Sequence, residues 1–198
     1  MKKGIEFAIA ALSLLVSLSA RAADPAWTVD KAHSRVGFEV SHLGLSSVEG
    51  TFSKYEGTVI ADAEGKVRSV SAVVQVSSIH TGNDDRDTHL RSAELFNVVK
   101  YPEIRMTTKT VNWKGKQLSG KAVLTIKGKT MDVKYRGTLT GKKTLDERGR
   151  KVLRVGYAVT TEIDRTAFGI EFGSAAETFG LVGKTVEIQI SVEITRPL

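Results

Sequence analysis

Apolar and polar residues alternate strictly over the last strand-like stretch of the chain. Val186, Ile188, Ile190, Val192 and Ile194 share one parity, and Glu187, Gln189, Ser191, Glu193 and Thr195 the other. Successive side chains of a strand point to opposite faces, so this pattern describes a β-strand with one buried and one wet side. Val36, Phe38, Val40 and His42 form a second such row, opposed by Arg35, Gly37, Glu39 and Ser41; Val70, Ala72, Val74 and Val76 form a third. Further strands are expected over 50–61, 104–113, 117–127, 130–140 and 153–163, which are rich in β-branched and aromatic residues. That makes about eight one-sided strands, which bury their apolar faces by closing on themselves or stacking in two sheets.

The turns point the same way. Gly-Lys occurs six times, and the copies at Gly115, Gly128 and Gly141 are thirteen residues apart. Glycine supplies the positive φ of a tight hairpin and lysine keeps the loop solvated. Turns at Gly115 and Gly141 are therefore expected on one rim and Gly128 on the other, as in an antiparallel barrel or sandwich.

One segment breaks the rhythm. Asn83 to Asn97 reads NDDRDTHLRSAELFN, with an acidic start suited to a helix N-terminus and an apolar stripe of Leu90, Ala93 and Phe96. Asp85 with His89, and Asp87 with Arg91, are four apart and are expected to pair along its surface. This reads as a short helix across one end of the barrel, ended by Tyr101-Pro102. Asp164 to Gly183, rich in Phe and Gly, reads as a loop with a helical turn. The fold class expected from these elements is all-β: about eight antiparallel strands in a barrel or a sandwich, with one or two short helices.

At the N-terminus, Lys2 and Lys3 precede an apolar run from Phe7 to Leu18, followed by Ala20-Arg21-Ala22. A basic start, a short apolar middle and small residues at a cleavage site make a secretory signal. The run is twelve residues long, short of the roughly 20 that span a bilayer as a helix. Residues 1–22 are thus expected to be a cleaved signal peptide and 23–198 one mature domain, which places the protein in the periplasm. Lipidation needs a cysteine, and the chain has none; disulfides and thiol chemistry are excluded with it. Of 29 basic and 22 acidic residues the signal carries three and one, leaving a net charge of +5. That balance suits a soluble surface, and no aromatic-and-basic cluster argues for nucleic acid.

Enzymatic signatures are missing. There are four histidines but no H-E-x-x-H; His80, Asp85 and His89 are the one set able to converge on a metal. Gly-Lys-Thr recurs at Gly128 and Gly183, yet Val123 and Thr178 stand where a phosphate loop needs its first glycine. No G-x-S-x-G elbow is present. The chain is read as a non-enzyme without metal or cofactor. An integral outer-membrane barrel needs aromatic girdles, and aromatics make up 7% of the chain.

In order along the chain stand Trp27-Thr28-Val29-Asp30-Lys31-Ala32-His33-Ser34, Gly50-Thr51-Phe52, Ser78-Ile79 with Thr81, and Arg86-Asp87-Thr88-His89-Leu90. Phe96-Asn97-Val98 with Tyr101-Pro102, Leu124-Thr125-Ile126-Lys127-Gly128, and Asp164-Arg165 with Phe168-Gly169-Ile170 follow. This succession resembles the YceI-like family of bacterial proteins, from about Trp27 to Glu193. The resemblance implies an eight-stranded antiparallel lipocalin-like barrel, a periplasmic location, and an isoprenoid or other long-chain amphiphile (isoprenoid quinone, polyprenyl phosphate or similar lipid) held in the lumen. Where the family often has Phe-Phe-Asp, this chain has Leu95-Phe96-Asn97.

Physical reasoning makes such a ligand possible, because eight strands enclose a space just wide enough for side chains or one small ligand. Phe38, Phe52, Phe168 and Phe172 are candidate tail contacts, with plain core packing as the alternative. His42 is a candidate at the rim, and Arg86 and His89, three apart on one helix face, are candidates for a head group. Arg165 reads as a tie between its loop and the barrel. Two barrels meeting mouth to mouth would shield a protruding tail, a homodimer that no residue pattern specifies. The alternative function is a packed barrel acting in stress response or through its surface, or an enzyme acting on a lipid.

Overall fold

The computed structural model describes residues 26–198, so the export signal read over residues 1–22 lies outside the described residues. The alternating segments become ten strand runs. They are β1 (Ala26–His42), β2 (Ser46–Phe52), β3 (Tyr55–Ala61), β4 (Val67–Gln75), β5 (Ile79–His80), β6 (Glu103–Lys114), β7 (Gln117–Ile126), β8 (Lys129–Glu147), β9 (Arg150–Asp164) and β10 (Val182–Pro197). Two helices interrupt them, α1 (Asp84–Arg91) and α2 (Ser174–Thr178). Among the described residues no helix is long and apolar enough to cross a membrane.

By position the ten runs fill eight places. β2 pairs with the C-terminal half of β1 and β3 with its first residues, so the two share one place. β4 and β5, joined by a 3-10 turn at Val76–Ser78, share the next, facing β3 and β2. β6 to β10 follow in order, and β10 pairs back onto β1 from Thr28↔Thr195 to His42↔Val182. The result is a closed eight-stranded antiparallel barrel, in which β10 and β1 pair with each other and are not left as open sheet edges. The inward parity of β10 divides between two core clusters. Val186 and Ile188 pack at the end that carries both helices, Val192 and Ile194 at the other.

The hairpins correct one expectation. Lys127 and Gly128 both have positive φ (49° and 74°), as a two-residue hairpin between twisted strands requires. The same geometry recurs at Arg148 and Gly149 (56° and 80°), and the β8–β9 turn lies there, not at Gly141. At Gly141 the ladder shifts register between Leu139 and Gly141, and the strand runs on to Glu147. A glycine followed by lysine fits a bulge as well as a turn; the turns have a glycine of positive φ, at Gly115, Gly128 and Gly149, and Gly141 is not among the positive-φ glycines.

α1 is also shorter than its sequence pattern. Asn83 caps it by accepting from Arg86 N at 2.9 Å, and Ser92, with extended dihedrals, ends it. Ala93 is therefore exposed, while the following turns bury Leu95 completely. Neither expected surface pair forms. Asp87 is buried and accepts from Thr81 N, Thr81 Oγ1 and His80 Nδ1, whereas His89 turns to Glu94 and Arg91 to the Ile79 carbonyl. Burial by itself raises the Asp87 pKa, but those hydrogen bonds outweigh it and hold the carboxyl below its usual range.

Outside the barrel, Arg154 of β9 clamps the closure. Its Nη1 lies 2.6 Å from Asp30 Oδ2 and 3.2 Å from Glu193, and its Nε 2.7 Å from Glu147. Hydrogen bonds from Arg154 and His33 hold the Asp30 carboxyl at about 2. Asp30→Asn is expected to cost about 1 kcal/mol at pH 7, read as a melting point roughly 3 °C lower. The group's folded pKa is depressed, so its contribution is full above 3.8 and is lost as pH falls through about 2. Equal melting points at pH 7 would show that the clamp adds nothing.

Candidate functional site

At the helical end the lumen is capped from above and filled from the walls. Leu90 and Phe96 come down from α1 and the turn after it, and Ile170 and Phe172 from the loop after β9. Between these and the inward residues Phe38, Val40, Val186 and Ile188 a cavity of about 100 Å³ remains. Aromatic rings account for much of the filling. Phe38 and Phe52 lie 5.7 Å apart, and Phe96 meets Phe52 edge-on at 6.5 Å. Phe38 reaches this position because residue 50 is glycine: a Cβ there would sit 2.2 Å from Phe38 Cζ.

Arg165 is the one polar residue of the cavity wall, and it is fully committed. Its Nε donates to Gly183 O, Nη1 to Ile170 O and Glu177 Oε1, and Nη2 to Glu177 Oε2 and Val182 O, at 2.6–3.0 Å. A guanidinium has five N–H groups, and all five are used. Glu177 completes the lock by accepting from Phe172 N at 2.8 Å; Arg165, then this amide, hold its carboxyl below the ordinary range. The loop is thereby tied to β10, and the cavity offers a ligand an apolar surface and no free donor.

The comparisons with known proteins agree with this architecture. Residues 27–194 match the family model of the YceI-like domain. The chain belongs to the YceI-like family. A UPF0312 protein of Staphylococcus aureus (strain bovine RF122 / ET3-1) is 36% identical over 177 residues, 85% of this chain and 96% of that protein. A second, from Staphylococcus epidermidis, is 33% identical over 168 residues, 84% and 95% of the two chains. The YCEI protein of Campylobacter jejuni superposes with a TM-score of 0.65 at 27% identity, over 84% of this chain and 95% of its own. A polyisoprenoid binding domain from Saccharophagus degradans has the same fold, with a TM-score of 0.61 at 17% identity, over 87% and 99%.

Within this YceI-like barrel, several stretches that carry the family resemblance hold structure in place. Asp30 belongs to the Arg154 clamp, Gly50 admits the Phe38 ring, Asp87 anchors α1, and Arg165 locks the end loop. Asn97, at the position where the family often has Asp, takes a left-handed φ of 49° and accepts from Lys100 N; asparagine tolerates that conformation better than most residues.

The structure distributes the seven candidate site residues unevenly. Phe38, Phe52 and Phe172 line the cavity together. Phe168 is buried in the adjoining core. His42 is exposed at the end of β1 and is no part of the cavity wall. Arg86 turns away to bond Thr81 Oγ1 and the Thr81 carbonyl. His89 lies outside the wall, edge-on to Phe172 at 6.3 Å and bonded to Glu94. Leu90, Phe96, Val186 and Ile188 line the site as well; the parity of β10 already marked the last two as inward. Among the described residues, Asp30, His33 and Glu193 are the group whose ligand atoms lie near enough to share an ion. The Arg154 guanidinium occupies the place a cation would take among them.

Proposed function

We propose that this protein is an exported, non-catalytic carrier that holds the isoprenoid or other long apolar tail of an amphiphile at the helical end of its barrel. The carrying observation is the cavity itself, apolar throughout except for an arginine with no donor to spare. Burying a tail there is worth roughly 0.8 kcal/mol per CH₂ and leaves no polar group unpaired. The polyisoprenoid binding domain of S. degradans, of the same fold, supports the reading, as does the signal-like pattern over residues 1–22 for export.

The space of about 100 Å³ is below the ~300–1,000 Å³ of ordinary ligand pockets. A long tail therefore enters as Phe38, Phe96 and Phe172 change rotamer; all three are partly buried. The same small volume favours the second reading, a packed barrel that works through its surface. Native mass spectrometry on protein purified without detergent, followed by solvent extraction, separates the two. A stoichiometric long-chain amphiphile is expected, and Val186→Phe, which fills the cavity, is expected to lower its occupancy at least about tenfold. A clean protein that also refuses added prenyl lipids leaves the packed-barrel reading.

A further inference from the structure

The barrel wall has an opening in its side. β8 and β9 are paired from Tyr135↔Thr161 to Glu147↔Arg150, but Lys129–Lys134 of β8 and Glu162–Asp164 of β9 do not pair with each other. A cavity of about 540 Å³ lies between them, lined by the consecutive residues 131–136 and 160–164. Neighbouring residues on a strand face opposite sides of the sheet. A cavity lined by unbroken runs on both strands is therefore bordered by residues of both faces, with the buried Ile163 and Phe168 closing its inner side.

This window has a built frame. Beside it Lys127 Nζ donates to Gly169 O at 2.7 Å and Lys129 Nζ to Ala167 O at 3.2 Å, tying the β7–β8 turn to the segment after β9. The Ile126↔Lys129 pair closes a two-residue hairpin, so bonded pairs with β7 alternate from there, and the backbone groups of Asp132 and Lys134 turn toward the gap. Thr161 Oγ1 reaches across to Lys134 O at 2.9 Å. The inner end is formed by Ile163 and the buried Phe168, and Ile163 is also a wall of the lumen cavity. The two spaces thus share one side chain.

Resting on the lipid-binding reading, we propose that the window takes the polar head of the bound amphiphile, and that this head is uncharged and bears hydroxyl or carbonyl oxygen. The lumen cannot serve a head group, since every Arg165 donor is used and an unpaired polar group there is costly to bury. The window supplies what the lumen lacks: the backbone groups of Asp132, the hydroxyl of Thr160, and the Lys134 and Arg136 side chains. Its volume is in the ~300–1,000 Å³ range of ordinary ligand pockets.

The window's four carboxylates outnumber its two cations, Lys134 and Arg136, and this excess disfavours an anionic head. Asp132 is bridged to Lys109 at 2.5 Å, but Glu162, Asp164 and Glu187 also line the window. Glu162 and Glu187 end a row of four glutamates placed directly opposite one another across adjacent strands, Glu49↔Glu39↔Glu187↔Glu162. Like charges so placed repel, and a phosphate at the end of the row adds to the repulsion.

The test compares a polyprenol with the polyprenyl phosphate of the same tail length, titrated into the delipidated protein. Wild type is expected to bind the alcohol about tenfold more tightly, and the double variant Glu162→Lys with Glu187→Lys to reverse that order. Glu162→Gln, which removes charge alone, is expected to narrow the difference and keeps the test open if the reversal does not fold. Equal binding of both lipids, unmoved by these changes, overturns the window as the head site and leaves tail binding intact. Failure of both lipids to bind wild type overturns the carrier reading itself, and this proposal with it.

Discussion

Arg165→Met is expected to cost about 4 kcal/mol of folding stability, because breaking a buried ion pair from one side leaves its partner uncompensated. The Arg165 side chain is 4% exposed and that of Glu177 21%. The substitution keeps length and apolar volume but strands the Glu177 carboxylate and the carbonyls of Ile170, Val182 and Gly183. Chemical denaturation is the measurement, with Arg165→Met/Glu177→Gln beside it. The double variant is expected to recover part of the loss, since a neutral amide is cheaper to leave in place than a charge. The pH profile gives a second readout. The folded pKa of Glu177 is depressed from its ordinary 4.5, so the stability it contributes is present above that value and lost on acidification below it. Arg165→Met is expected to flatten that acid limb. A loss under about 1 kcal/mol would mean that the five hydrogen bonds merely replace equivalent ones to water.

The second large effect is expected at a glycine whose importance is purely steric. A Cβ on Gly120 would stand 1.9 Å from the Thr110 carbonyl oxygen and 2.6 Å from Tyr135 Oη. β6 bulges between Thr108 and Thr110, and Tyr135 Oη donates to the Thr110 carbonyl at 2.7 Å, directly over this residue. The first obstacle is backbone and cannot swing aside. Gly120→Ala is expected to cost about 3 kcal/mol, the upper part of the usual range for overpacking, and to lower the melting point by roughly 10 °C. Gly115→Ala is the control. That position has a φ of 61° and nothing within 4 Å, so only the penalty for a left-handed alanine applies, about 1 kcal/mol. If the two variants melt together, crowding at the bulge is not what selects glycine at position 120.

Legibility in the sequence followed the range of the interaction. Parity along β10 sufficed to mark Val186, Ile188, Val192 and Ile194 as inward, and the Lys127-Gly128 and Gly115 turns were readable from two residues. Gly141 was misleading because a bulge and a turn use the same residue, and the choice depends on how far β9 continues to pair. The pattern over Asn83–Asn97 suggested a longer helix, since Phe96 fits a helical stripe with Leu90 and Ala93 as well as it fits a turn folded onto the barrel. His42, Arg86 and His89 had the right chemistry for a head group, but Arg86 and His89 found partners next to them in the chain.

Alternation, turn chemistry and the ordered family-like stretches were enough by themselves to determine strands, barrel class and family, because each is a local property repeated many times. Three features were decided by tertiary structure alone: the saturation of Arg165 by groups 5 to 18 residues away, the glutamate row across four strands, and the gap between β8 and β9. Each depends on register between strands, and register is set by the packing of the whole barrel, where a shift of one residue turns every side chain to the other face.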